Sequence, residues 1–183
     1  MATSSTADLW DDLVGEAAAE SPLWAESALP EPEQRRDAVF SELCEPRFAL
    51  GVETIYEGYL LHFGRPRLFA PADADTALLL GDYLYAHGLV RVAATGSVEA
   101  VNDLAELISL CAQAQADETD GDWAVWAATS SSLGAGTLEA PRASLRERRD
   151  ASALEQAARA AAGDEAVERA RAAHDLHVGR RVG

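Results

Sequence analysis

The sequence predicts an all-α fold in one domain, built as a single antiparallel helical bundle. Apolar residues recur at helical spacing through most of the chain, as at Leu80, Leu84 and Val92 in the segment 74–94. Alternation with a period of two residues never persists, and β-branched residues are sparse. With 183 residues, 48% of them hydrophobic, the chain is long enough for one well-filled core.

The predicted helices are separated by short breaks that contain proline, glycine or runs of charge. Segment 33–44 carries an apolar stripe of Val39, Phe40 and Leu43, and Pro46 ends it. A helix over 98–116 has the most continuous apolar register of the chain. The predicted helices in chain order are 6–20, capped by Thr6 or Asp8, then 48–63, 74–94, 98–116, 123–132 and 154–177.

This pattern divides the domain into three stretches. Residues 1–116 form the core of the bundle, 117–122 form a charged acidic loop, and 123–183 form a C-terminal helical part of the same domain. Trp123 and Trp126 share one helix face and are expected to anchor that part to the body. The helix 154–177 has few large apolar residues, which predicts a partner-facing or frayed arm, and the tail 178–183 is expected to be disordered.

Charge is the most unusual feature of the composition. The chain has 31 acidic and 15 basic residues, a net charge of −16, and every basic residue is arginine. Such a chain repels itself in dilute buffer, whereas concentrated salt screens its charges over about 3 Å at 1 M. We therefore expect a cytoplasmic protein of a halophile, with a haloarchaeal-type composition. A GC-rich genome is an alternative explanation of the missing lysines, but it leaves the acidity unexplained.

Several functional classes are disfavoured by the sequence. Nucleic-acid binding needs clustered cations, and the arginines are scattered except at 146–149 and 180–181. No run reaches the roughly 18 apolar residues that would cross a bilayer, and no leader peptide is recognisable. Cys44 and Cys111 lack the spacing of a zinc site and are expected to fill core space. Nucleophile motifs of the GxSxG kind and phosphate-cradling glycine loops are absent.

Gly81 and Gly88 lie two turns apart on one stripe of the helix 74–94. Glycine inside a helix costs about 1 kcal/mol relative to alanine, so the pair indicates that another helix comes close. Asp82 follows Gly81 on an otherwise apolar helix and is the acid that we expect to be buried. Gly81, Asp82, Tyr85 and Gly88 are therefore predicted as structural or interface residues.

Two carboxylates and several histidines are candidates for metal ligands. Glu53 and Glu57 are four residues apart and share a helix face, either as ligands or as solvated surface acids. The acids of 117–122 lack the ligand order of a calcium loop. His62 and His87 are expected to be core or boundary residues. His174 and His177, three apart, lack a carboxylate or cysteine at convincing spacing in the sequence.

The segment HFGRPRLFA, followed by ALLLGDYL at 77–84, resembles part of the trans-isoprenyl diphosphate synthase family. In that family an arginine- and proline-containing turn leads to a helix of the form A-x-L-x-G-D-x-L. The resemblance covers roughly 56–111 and implies an isoprenoid-synthase-like helical fold. It also implies that Arg65 and Arg67 lie where family arginines contact diphosphate, although pairing with Asp73, Asp75 or Asp82 is the alternative.

The family binds Mg²⁺ through two aspartate-rich motifs, and this chain has neither. The resemblance therefore implies a non-catalytic accessory protein, similar to the short subunit of heterodimeric long-chain prenyl diphosphate synthases, with a catalytic synthase subunit as its partner. In that role the Gly81 to Leu89 face is the expected contact with the synthase. One alternative is a homodimeric helical interaction or regulatory module of a halophile, built by the Gly81–Gly88 stripe and the alanine-rich terminal helix. A second alternative is a degenerate enzyme that binds a prenyl diphosphate, with Mg²⁺ held by Glu53 and Glu57. If the chain is not such an enzyme, no cofactor is expected.

Overall fold

A computed structural model describes residues 6–179, and these residues form nine α-helices and no strand beyond an isolated bridge between Ala28 and Phe69. The all-α class is thereby confirmed for the described part of the chain. The α-helices are α1 (Thr6–Glu20), α2 (Pro22–Ser27), α3 (Ala49–Phe63), α4 (Ala74–Ala93), α5 (Val98–Ala116), α6 (Asp122–Ser131), α7 (Glu139–Arg148), α8 (Ser152–Ala162) and α9 (Asp164–Val178).

Helix boundaries follow local signals in the sequence. The Ser21 hydroxyl accepts a hydrogen bond from Leu23 N at the start of α2, and Asp73 caps α4 by accepting from Thr76 N. Ser97 caps α5 in the same way through Ala100 N. The predicted spans of α3, α4, α5 and α6 agree with the structure to within one residue at either end.

Two sequence expectations about local structure are wrong. The stripe at 33–44 is largely irregular, with short 3-10 turns at Glu31–Glu33 and Ser41–Leu43, although it does bury Val39 and Phe40. The helix expected over 154–177 is two helices, because Gly163 has a φ of +85° that only glycine adopts without strain. Most of the tail that was predicted to be disordered, residues 180–183, lies outside the part of the chain that the structure describes.

Two helices lie at the centre of the molecule. All residues of α3 from Gly51 to Leu60 are buried, and so are all residues of α6 from Asp122 to Ser130. Helix α3 packs mainly against α4 and also contacts α1 and α9, while α6 packs against α5, α8 and α9. The expected anchor Trp126 is fully buried between Phe40, Tyr56 and Tyr59.

The C-terminal helix α9 is packed rather than frayed. Val167, Ala170, His174 and His177 are buried, and they lie at helical spacing on one face. The expectation of a loosely attached arm failed because two of these four anchors are histidines, whose burial depends on partners elsewhere in the chain. Among residues 6–179, no helix has the length and apolar character that a membrane span requires.

Candidate functional site

The glycine stripe of α4 packs against α3 of the same chain. A Cβ added at Gly88 would lie 2.5 Å from Ile55 Cγ1 and 2.9 Å from the Gly51 carbonyl oxygen, and one added at Gly58 would lie 2.9 Å from the Gly81 carbonyl. The close approach predicted from Gly81 and Gly88 is therefore present. The stripe is an intramolecular contact, so it is not available as the partner surface expected at Gly81 to Leu89.

Sequence reasoning missed the matching half of this contact. Gly51 and Gly58 on α3 have the same seven-residue spacing as Gly81 and Gly88 on α4. Gly51 meets Gly88 and Gly58 meets Gly81, so the two helices run antiparallel where they touch. The repeated spacing on two neighbouring helices was the signal that would have identified α3 as the partner.

The other two predicted residues of this segment lie at its edge. Asp82 is not buried: its side chain is 67% exposed and lies 3.2 Å from His62 Nε2. Tyr85 is half-buried and stacks on the His62 ring. Gly81 makes room for that imidazole, because an added Cβ would lie 2.6 Å from His62 Nε2. Burial lowers the pKa of His62, and the Asp82 carboxylate opposes this only in part.

Glu53 and Glu57 of α3 form a fully buried ion-pair cluster with Arg67 from the turn that follows the helix. Arg67 Nη1 lies 2.9 Å from Glu53 Oε2, and Arg67 Nε lies 3.1 Å from Glu57 Oε2. Arg67 Nη1 also donates to the Asp37 carbonyl at 2.6 Å. Burial acts to lower the pKa of Arg67, but the two carboxylates outweigh it and raise that pKa. The guanidinium therefore stays charged.

Backbone amides complete the cluster. Glu57 Oε1 accepts from the backbone N–H groups of Arg67 and Leu68, both at 2.8 Å, while Glu53 Oε1 accepts from Val39 N at 3.2 Å and Ser41 N at 3.3 Å. The cluster thus fastens the 39–41 segment and the turn after α3 to the central helix. It is the reason why the irregular segment 33–44 is held in place without being helical.

These contacts correct three expectations. The two glutamates are neither solvated nor open to a metal ion, since Arg67 occupies the space between their carboxylates. Arg67 pairs with them rather than with Asp73, Asp75 or Asp82, and it is itself fully buried. Of the predicted phosphate-binding pair, only Arg65 is exposed.

The second candidate site is a cleft of about 950 Å³ between the ends of α3 and α5, the loop 117–121, the start of α6, and α9. We call it the Asp122 cleft. Phe63, Trp123 and Val178 contribute apolar walls, and the Arg171 guanidinium lies 4.3 Å over the Trp123 ring. Its carboxylates are Glu118, Asp120, Asp122 and Asp175, of which three are exposed and Asp122 is buried.

The floor of the Asp122 cleft is a buried hydrogen-bond network. Asp122 Oδ2 accepts from the Tyr59 hydroxyl and, at 3.0 Å, from Gln115 Nε2, while its Oδ1 accepts from Trp123 N at 2.9 Å. His174 Nδ1 lies 3.0 Å from the Tyr56 hydroxyl, and its Nε2 lies 3.7 Å from Asp122 Oδ2. These side chains come from four helices, α3, α5, α6 and α9, and the sequence analysis did not predict that they meet.

Electrostatics keep Asp122 ionised. Burial acts to raise its pKa, but the neighbouring His174 imidazole and the hydrogen bond from Tyr59 outweigh burial, so the pKa lies below its ordinary value of 3.8. Burial, reinforced by the charge of Asp122, raises the pKa of Tyr59 far above its ordinary value, so the phenol remains a hydrogen-bond donor. The floor of the cleft therefore presents a carboxylate rather than a carboxylic acid.

His177, on the same face of α9 as His174, ties the helix to a different segment of the body. Its Nε2 lies 2.7 Å from Asp37 Oδ2, and its backbone carbonyl accepts from Arg65 N at 2.8 Å. The hydrogen bond from His177 lowers the pKa of Asp37 despite the opposing effect of burial. His174 and His177 have no carboxylate at a suitable spacing in the sequence, but the fold brings one to each. Asp122, which is 52 positions from His174, and Asp37, which is 140 positions from His177, are these carboxylates.

No group of three or more His, Cys, Asp or Glu side chains within the described residues 6–179 converges enough to hold a metal ion. Comparison of the chain with protein-family models, with curated proteins and with solved structures finds no match.

Proposed function

We propose that this chain is a non-catalytic, isoprenoid-synthase-like accessory protein that associates with a prenyl diphosphate synthase. The resemblance of 56–111 to the synthase family motivates the choice of partner. The commitment of Glu53 and Glu57 to Arg67 supports a role without metal-dependent chemistry, because a cation at that site would have to displace a buried guanidinium.

One observation carries the proposal: the outward side of α4, in the segment that bears the resemblance, exposes an apolar surface. Leu78, Leu79 and Val90 are 53%, 56% and 65% exposed. Exposed residues on this side recur at helical spacing and define the outer face of α4: Leu78, Leu79, Asp82, Ala86, Val90 and Ala93. Exposed apolar residues scattered singly are ordinary, whereas a contiguous group on one helix is typical of an interaction surface.

The partner that this face fits is another helix. Small and branched side chains at i, i+4 and i+8 along a helix form the ridges that pack into the grooves of a second helix. The inner side of α4 is already filled by α3 through the paired glycines, so only the outer face remains for a partner.

The test is a copurification in which the identity of the partner is decisive. The tagged chain is isolated in molar potassium chloride together with a Leu79→Arg, Val90→Arg double variant and a Leu176→Arg control. Leu176 is 71% exposed on α9, so the control adds a charge at a leucine that is more exposed than Leu79 or Val90 but lies elsewhere. We expect a synthase with intact aspartate-rich motifs to accompany the parent chain and the control in stoichiometric amount, but not the double variant.

Recovery of the chain without any synthase would contradict the proposal. So would magnesium-dependent prenyl transfer by the isolated chain. Recovery as a homodimer that the double variant reduces to a monomer would favour the second candidate, a homodimeric interaction module of a halophile. The same outer face supports that candidate. The degenerate-enzyme alternative, with Mg²⁺ on Glu53 and Glu57, has no supporting contact among residues 6–179.

A further inference from the structure

Asp82 is the charged member of the outer face of α4, among the six residues that define that face. It lies four residues after Leu78 and four before Ala86, and residues at this spacing are neighbours on one side of a helix. Asp75, on the same side, lies in the first turn, where the end of the helix favours a carboxylate. Asp82 therefore places a negative charge in the middle of an otherwise apolar surface.

His62, whose Nε2 lies 3.2 Å from Asp82 Oδ1, does not neutralise this carboxylate at neutral pH. Burial lowers the pKa of His62 below its ordinary value of 6.5, so the imidazole is mostly uncharged at pH 7. It offers at most one neutral donor, whereas a carboxylate accepts several hydrogen bonds. The exposed carboxylate thus depends on water, or on a partner, for its remaining contacts.

A helix that covers Leu79 and Val90 also removes water from Asp82, which lies between them along α4. Burial of a carboxylate is strongly unfavourable unless another group pairs with it. Hydrogen bonds from a cation compensate such a group better than those from neutral donors. A net charge of −16 also favours the approach of a cationic surface over that of an acidic one.

A second copy of this chain offers no such cation at this face. An isologous contact joins the same patch on both copies, and the outer face of α4 contains no arginine. Arg91, the arginine of α4, is largely buried and pairs with Glu16, and lysine is absent from the sequence. Two copies joined in this way would each bury Asp82 without a counter-charge. The carboxylate thus favours a different protein over a homodimer.

We propose that the outer face of α4 binds a helix of a different protein, whose apolar side chains cover Leu79 and Val90 and whose arginine or lysine pairs with Asp82. This inference rests on the proposed function, because it specifies the surface by which the synthase contacts this chain. It adds a requirement that apolar packing alone does not impose, since the partner helix needs a cation at one position.

Binding of the synthase that accompanies the parent chain is measured by titration in molar potassium chloride with the parent, Asp82→Leu, Asp82→Asn and Asp175→Leu. Asp82→Leu enlarges the apolar surface but removes the counter-charge, so we expect it to weaken binding at least tenfold. Asp82→Asn is expected to weaken binding as well. Asp175→Leu removes an exposed carboxylate from α9 and is expected to leave binding unchanged. Thermal unfolding of each variant verifies that it is folded.

Unchanged or tighter binding of the synthase to Asp82→Leu would overturn the pairing at Asp82 and leave the proposed function standing. Equal weakening by Asp82→Leu and Asp175→Leu would also overturn it, because the effect would then come from the acidic surface as a whole. If no synthase accompanies the parent chain, the proposed function fails and this inference fails with it. A homodimer in sedimentation velocity that Leu79→Arg dissociates would contradict the choice of a different protein.

Discussion

Arg67 pairs with two buried carboxylates and thereby determines how the first half of the chain is assembled. Its guanidinium contacts Glu53 and Glu57 and stacks near Trp10 and Tyr56, with ring centroids 5.0 and 4.9 Å from Cζ. A buried ion pair of this kind contributes little net stability relative to an apolar core, but loss of one partner leaves the remaining charges buried without a counter-charge. The cluster specifies which segments meet rather than adding a large favourable free energy.

Substitution of Arg67 by methionine is therefore expected to lower the free energy of unfolding by about 3–5 kcal/mol, because two buried carboxylates lose their counter-charge. Denaturant unfolding in molar potassium chloride measures the change. Arg47→Met is the control: Arg47 is 54% exposed and pairs with exposed Glu45, so a change within about 1 kcal/mol is expected. Similar losses in both variants would contradict the special role of the buried cluster.

The lowered pKa values of Asp37 and Asp122 predict acid sensitivity. Each carboxyl binds its proton more weakly in the folded chain than in the unfolded chain, so each contributes stability that is fully present above its ordinary pKa of 3.8. That contribution is lost as the pH falls from about 4 through the lower folded-state pKa.

Unfolding free energy measured between pH 7 and pH 3 tests this expectation. Asp122→Asn is predicted to be less stable than the parent chain at neutral pH, and the difference is predicted to shrink as the pH falls below about 4. Glu42→Gln, at an exposed side chain that makes no ion pair with the described residues, serves as the control and is expected to follow the parent curve. A constant difference at all pH values would contradict the assignment.

At the scale of the helix, the α3–α4 contact depends on four glycines. A Cβ at Gly88 would meet Ile55 at 2.5 Å and the Gly51 carbonyl at 2.9 Å, and a backbone carbonyl cannot move aside without shifting the helix. Overpacking a tight contact commonly costs about 1–3 kcal/mol, which exceeds the gain of about 1 kcal/mol from replacing a helical glycine by alanine.

Gly88→Ala is thus expected to destabilise the chain, whereas Gly15→Ala is expected to stabilise it by up to about 1 kcal/mol. Gly15 lies in α1, is exposed, and has no atom within 4 Å of an added Cβ. Thermal unfolding of the two variants, compared with the parent chain, gives opposite signs if the α3–α4 contact is as tight as the structure has it. Stabilisation by both substitutions would show that the contact can open at little cost.

At the scale of the whole molecule, the net charge of −16 is distributed over a surface with few compensating cations. Most arginines are already paired with carboxylates, several of them on the surface, as at Arg159 and Arg169. The remaining acids repel one another in dilute buffer, and salt screens that repulsion.

The melting temperature is accordingly predicted to rise by several degrees between about 0.1 M and 2 M potassium chloride. A parallel series in sucrose separates screening from general preferential exclusion, since sucrose does not screen charge. A melting temperature that is unchanged by potassium chloride, or that rises equally in sucrose, would contradict the salt-adapted interpretation of the composition.

Apolar periodicity and caps such as Ser97 act over a few residues, so the all-α class and the positions of α3, α4, α5 and α6 could be predicted from the sequence. The positions of Gly81 and Gly88 also predicted that another helix comes close, because the cost of glycine in a helix depends only on the helix itself. The partners of those residues depend on long-range packing and became visible in the folded chain. In the sequence, a residue such as Glu53 or Asp122 looks the same whether its carboxylate faces water or a buried partner. Its burial depends on partners that folding brings from distant segments. The ion-pair cluster and the Asp122 cleft are products of that long-range packing.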